Sequence, residues 1–326
     1  MGVLIGDFMN SRQAIFLLAV FGALAVALVS LYVLGGQQSQ MQDGKVSVVA
    51  TFYPLAYMTR EIGGDHVSVR VLIPYNTEVH SWQPSVSDMI ALTNAELIVL
   101  NGAGLEPWFN EKVLPSLNLS RTVVLDTTEG LELLALGEGE PEAYEHDHGG
   151  EYDPHTWISP YMAGKQAERI YSALVEVDPS HSEYYKARWD TLKAKLDSLD
   201  ARYQQELANK SRSEIIVSHG AYGYLCSRYG FEQRSVIGLT ADKQPSVQEL
   251  RALVDFMVEH NISVLYVDPA YSPSYINTLK GELESQTGMA VKILKLYLAL
   301  GPVDGKDYLD QLASNLENLK SGLLAG

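Results

Sequence analysis

The chain has 326 residues, 40 acidic against 24 basic, a formal net charge of −16 and 46% hydrophobic residues. Such a charge repels nucleic-acid phosphates and anionic lipid heads, which disfavours nucleic acid as a partner and favours cations or neutral solutes. A single cysteine, Cys226, excludes internal disulfides and multi-cysteine zinc knuckles, so a metal site would have to use histidine and carboxylate.

The first element is an uncharged apolar run, Ala14 to Leu34, after Arg12 and before the polar GGQQSQMQDG. A spanning helix needs about 20 apolar residues, while the core of a cleavable signal has about 7–15. The run therefore reads as an uncleaved membrane anchor with Arg12 on the inside. Ala23-Leu24-Ala25 and Ala25-Val26-Ala27 are small-residue sites at which a secreted form would be cut, and no nearby cysteine offers a lipid attachment point. Residues 1–44 are thus anchor or signal plus linker, and the body is expected at the cell surface, outside the cytoplasm.

From Lys45, strand-like runs (KVSVVATF, VSVRVLIP, AELIVLNG, TVVLD) alternate with helical ones (PLAYMTREIGG, SVSDMIALTNA, WFNEKVL). That alternation is the mark of a parallel α/β sheet, here a lobe over residues 45–178 that contains an acidic, His-bearing loop at 138–152. Pro160 to Asp178 reads as a helix. A longer one follows from Ser180, with Tyr185, Trp189, Leu192, Leu196, Leu199, Tyr203 and Leu207 recurring every three or four residues. The stripe predicts a linking helix within 179–210, roughly 30 residues and about 45 Å long. Alternation resumes over 211–326 with EIIVSH, RSVIG, ISVLYVDP and AVKILKL, and DYLDQLASNLENLKSGLL closes the chain. The expected fold is two parallel-sheet α/β lobes joined by a long rigid helix. No Gly-rich phosphate loop, GxSxG elbow or HExxH helix is present.

Three histidines stand out by position. His80 follows strand VSVRVLIP in PYNTEVHSWQPSVSD, His155 lies in the DPHTW turn, and His219 ends strand EIIVSH. Parallel sheets bind ligands outside the carboxyl ends of their strands, and neutral imidazole is the commonest protein ligand for zinc. A metal site of His80, His155 and His219 is the result. His260 falls near a helix end where a cation complements the dipole. His181 and His66 are expected to be solvated, and Cys226 to be a small core residue.

These motifs resemble the solute-binding proteins of zinc and manganese ABC importers, the ZnuA/TroA-like cluster, from about Val46 to the C-terminus. PYNTEVHSWQPSVSD is similar to the family's Pro-x-Gly-x-x-x-His-x-aromatic-x-Pro-x-x-x-Asp pattern, with Asn76 in place of the glycine. DPHTWISP matches Asp-Pro-His-x-Trp-x-x-Pro, VSHGAYGYL carries the third histidine, and NLENLKSGL ends the likeness. The resemblance implies a metal held between two lobes and delivered to an ABC-type membrane permease by a monomeric binding protein that is not an enzyme. It also implies that His146 and His148 are auxiliary collectors in the acidic loop, with His155 the ligand proper.

The family's carboxylate after the last strand of the second lobe is missing, since LYLALG has Tyr297 where Asp is expected. Water, Asp304 or Glu78 are the candidates for a fourth ligand. A site this poor in oxygen favours Zn²⁺ as the transported ion over Mn²⁺. Two alternatives share the same residues: a zinc-dependent hydrolase, against which no carboxylate is well placed as a general base, Glu78 and Asp153 being only neighbours of His80 and His155 in sequence, and a metal-binding adhesin or buffer without a permease.

Overall fold

The computed structural model describes residues 44–136, 151–238 and 244–324. The apolar run 14–34, His146 and His148 lie outside them, and among the described residues no helix is long and apolar enough to cross a membrane.

The first lobe runs β1 (Val46–Ala50), α1 (Tyr53–Gly63), β2 (Val67–Val71), α2 (Val86–Asn94), β3 (Leu97–Leu100) and β4 (Val123–Asp126). Its sheet is parallel throughout, in the order β2-β1-β3-β4. Central β3 reads LIVL with every residue buried, as a strand covered on both faces requires. The stretch WFNEKVL, expected as a regular helix, instead forms a π-helical turn, Phe109–Val113, that tightens into a 3₁₀ turn, Leu114–Ser116. Pro115 explains the break, because it has no N–H to donate and crowds the carbonyl four residues back.

Two helices follow, α3 (Pro160–Val177) and α4 (Ser182–Glu206). The second lobe then repeats the plan with β5 (Glu214–His219), α5 (Gly223–Tyr229), β6 (Glu232–Ile237), α6 (Val247–Glu259), β7 (Val264–Val267), α7 (Ser274–Thr287) and β8 (Lys292–Lys295). Its parallel order, β6-β5-β7-β8, reproduces the first sheet strand for strand. The repeat reaches individual residues. Gln83-Pro84-Ser85-Val86 and Gln244-Pro245-Ser246-Val247 open α2 and α6, and Ser85 with Asp88, like Ser246 with Glu249, closes a capping box.

The linking helix α4 has 25 residues, about 37 Å at 1.5 Å per residue, shorter than its apolar stripe suggests. Pro179 starts a separate 3₁₀ turn, Pro179–His181, and Leu207 leaves helical geometry. All seven stripe residues are buried, against α1 and α3 on one side and the final helix, α8 (Tyr308–Leu323), on the other. The largest buried cluster consequently runs without interruption from β1 through α4 to α8, and Lys45–Gly326 forms one compact unit. His66 and His181 are not simply solvated: their rings stack with centroids 3.7 Å apart, and His181 Nδ1 lies 2.6 Å from Asp178 Oδ2. His260 caps α6 and stacks on Phe256, and Cys226 sits in the shared core.

Glu106 is a buried acid of the first lobe. Its carboxylate, at the exit of β3, accepts from Thr51 Oγ1 at 2.7 Å and from the amides of Asn101 and Gly102 at 2.8 and 3.0 Å. Burial outweighs those bonds and pushes its carboxyl up from 4.5 to about 7. Across that window the folded chain keeps a proton that the unfolded chain releases, so this group's contribution to stability falls as pH rises from 4.5 to about 7. Urea titrations of the wild type and Glu106→Gln at pH 4.5 and 7 isolate the effect. The wild type should lose stability relative to the variant by an amount on the order of 3 kcal/mol.

Candidate metal centre

Each of the three histidines is placed by a different device. His80 lies in the loop between β2 and α2, which leans on the second lobe: Asn76 donates from its backbone N to Leu300 O at 3.1 Å and from Nδ2 to Pro302 O at 3.3 Å. Asn76 takes φ 56°, the left-handed conformation that Asn adopts more readily than most non-glycine residues. His80's own amide is held at 3.0 Å by Glu78 Oε1. His219 ends β5 and is 3% exposed.

His155, 1% exposed, sits in the most heavily braced turn. One oxygen, Asp153 Oδ1, accepts from both its backbone N at 2.9 Å and its Nδ1 at 2.8 Å. Read from that network, Nδ1 carries the proton and Nε2 is left as a donor pair for a metal. The turn is clamped from both lobes. Asn101 Nδ2 donates to Pro154 O at 2.9 Å, Tyr224 OH to Asp153 O at 2.7 Å, Trp157 Nε1 to Leu298 O at 2.8 Å and Tyr308 OH to Trp157 O at 2.5 Å. α5 approaches so closely that a Cβ on Gly223 would stand 2.5 Å from Asp153 Oδ2.

The outcome is convergence. His80 Nε2 lies 3.1 Å and His219 Nε2 3.3 Å from His155 Nε2, and these three residues form the one group of potential ligands gathered within 4.8 Å among the described residues. Nitrogens at about 2.0–2.1 Å from a tetrahedral Zn²⁺ sit about 3.3 Å from one another, which is close to the two separations from His155 Nε2.

Neither carboxylate considered for the fourth corner joins the group. Asp304 Oδ2 accepts from Lys295 Nζ at 2.6 Å and from Tyr297 OH at 2.8 Å, and Lys295 holds its carboxyl below the usual range. Glu78 has one oxygen on His80's amide and the other on Tyr271 OH, 2.9 Å away.

Two residues near the histidines escape a reading of the sequence. Asp268, 3% exposed at the exit of β7, accepts from Ala270 N at 2.7 Å and Leu298 N at 2.5 Å, tying the β7 turn to the segment that receives Trp157. Burial pushes its carboxyl up to about 6. The available signal was the Asp-Pro of VLYVDP, a second copy of the dipeptide that precedes His155. Tyr271, three residues on, left no such trace.

The profile of the family described as ZnuA, zinc-uptake complex component A periplasmic, matches residues 48–322. The high-affinity zinc uptake system protein ZnuA of Bacillus subtilis is 32% identical over 289 residues, covering 86% of this chain and 88% of that protein. The zinc-binding lipoprotein AdcA of Streptococcus pneumoniae is 30% identical over 305 residues, 91% of this chain; the chain spans 60% of AdcA's length. Among solved structures, a mutant of the laminin-binding adhesin Lmb from Streptococcus agalactiae superposes with a TM-score of 0.74 at 30% identity, covering 85% of this chain and 99% of that one.

If Asp153 sets the proton position and orientation of His155, its removal weakens metal binding without deleting a ligand. Asp153→Ala should lower zinc affinity about 10–100-fold, as loss of a partner behind a metal-binding histidine commonly does. Competition against a chelating dye measures it, and an unchanged Kd would deny Asp153 that role.

Proposed function

The chain belongs to the ZnuA family of zinc-uptake components, and from that premise we propose that His80, His155 and His219 hold one Zn²⁺ as cargo between its lobes. The protein captures Zn²⁺ outside the cytoplasm and delivers it to an ABC-type permease for uptake. The observation that best supports the ligand set is the 3.1 and 3.3 Å spacing of the three Nε2 atoms.

In this reading water fills the fourth corner. A structural zinc site closes all four positions with protein ligands, whereas cargo has to leave again. Three imidazoles without a carboxylate suit zinc better than manganese, which prefers hard oxygen donors. The protein is a carrier and not a catalyst. The two acids nearest the ligands in sequence, Glu78 and Asp153, are engaged in holding His80 and His155, which counts against a hydrolytic base. It works as a monomer whose permease is its macromolecular partner, and nucleic acid is not one. The apolar run 14–34 anchors the body to the membrane, or is lost in a secreted form.

Complete structural zinc sites bind with about 10–16 kcal/mol, so one ligand carries roughly 3 kcal/mol, two decades in Kd. His80→Ala, His155→Ala and His219→Ala should each weaken zinc binding about 100-fold or more. The wild type should prefer Zn²⁺ to Mn²⁺ in direct competition. Calorimetry on protein stripped with a chelator tests both, and undiminished zinc affinity in any of the three variants would remove that residue from the set.

A further inference from the structure

Among the polar contacts between the lobes, one borders two of the three histidines. Tyr271, in the turn after β7 of the second lobe, donates its phenol O–H to Glu78 Oε2 of the first lobe at 2.9 Å. The other oxygen of Glu78 accepts the amide of His80 at 3.0 Å. Tyr271's ring also lies nearly parallel to that of His219, at 19° with centroids 6.1 Å apart. Tyr271 thus touches the setting of one proposed ligand through Glu78 and faces another directly.

We infer that the Tyr271–Glu78 hydrogen bond is an interlobe tie that sets how long zinc remains bound. The inference rests on the cargo reading above. Its physical basis is that the bond exists only while the turn after β7 and the loop that carries Glu78 stay in contact. Parting these two segments returns both groups to water and frees the Glu78 loop that carries His80. A hydrogen bond to a charged acceptor shifts such an equilibrium by about tenfold or more. Tyr271 does not move independently of its lobe. Its amide donates to Asp268 O at 3.2 Å, and Asp268, buried and bonded to Ala270 N and Leu298 N, ties that turn to the segment bearing Trp157's acceptor. Glu78 is therefore a positioning residue. Its carboxylate closes the cleft from outside the metal's coordination sphere, leaving the fourth corner to an exchangeable water.

Stopped-flow release of Zn²⁺ from the full chain to a strong chelator tests the tie, with Tyr271→Phe as the main variant because it removes a single oxygen atom. Release should accelerate about tenfold. Association rate and the melting temperature of the metal-free protein should remain those of the wild type. Glu78→Ala should also speed release, and the double variant should be no faster than Glu78→Ala alone, since Glu78→Ala already removes the acceptor that Tyr271→Phe leaves without its donor. Wild-type release from Tyr271→Phe, or multiplicative effects in the double variant, would overturn the tie. A lower melting temperature with unchanged release would do the same by making Tyr271 merely structural. A wild type that takes up no zinc would instead sink the cargo reading, and this one with it.

Discussion

Imidazole nitrogens repel one another unless a cation or a shared proton lies among them, and in this protein His80 Nε2 and His219 Nε2 are held 3.1 and 3.3 Å from His155 Nε2 by the packing of the surrounding structure. The three histidines stand at residues 80, 155 and 219, far apart in the chain, so no local geometry can assemble them. Assembly depends on the lobes being locked, and the lock is polar as well as apolar. Trp157 reaches from the first lobe to Leu298 O, while Tyr224 and Tyr308 reach back to carbonyls of Asp153 and Trp157.

Buried carboxylates do much of the positioning, and none of them joins the histidine group. Asp153 orients His155 from behind. Asp268 directly follows β7 and Glu106 lies in the turn beyond β3, each the third strand of its sheet in chain order, and each acid accepts two backbone N–H groups. Burial raises the carboxyl pKa of both. Such groups destabilise the fold when ionised, yet they hold strand exits in a set geometry where a parallel sheet presents its ligands.

The lobes do not behave as separate bodies tethered by a rod. Domains within a chain commonly meet across modest, polar interfaces and move. Here the apolar stripe of α4 is buried against helices of both halves within one continuous core, and α8 returns from the C-terminus to place Tyr308 against Trp157. Such packing resists a wide hinge. The freedom needed for a metal to enter and leave then falls to the loops around the histidines, where the Tyr271–Glu78 contact lies.

Strand–helix alternation, the stripe on α4 and three histidines at strand exits or in a Pro turn were readable in the sequence because each is a local pattern: a period, a cap, a breaker. The true length of α4 and the π-turn at Phe109–Val113 were obscured because prolines and helix ends act within a pattern that otherwise continues. The stacking of His66 on His181 and the engagement of Asp304 by Lys295 and Tyr297 were invisible, for they join residues that only folding brings side by side. Tyr271 is the sharpest case. Nothing in its neighbours distinguishes it from any aromatic residue in a turn, and its partner is 193 positions away. The sequence by itself determined which side chains were available to bind zinc. The tertiary structure alone decided that three of them share a point while Glu78 and Asp304 face other partners, because distance between side chains is set by how two sheets are held together and not by any period along one chain.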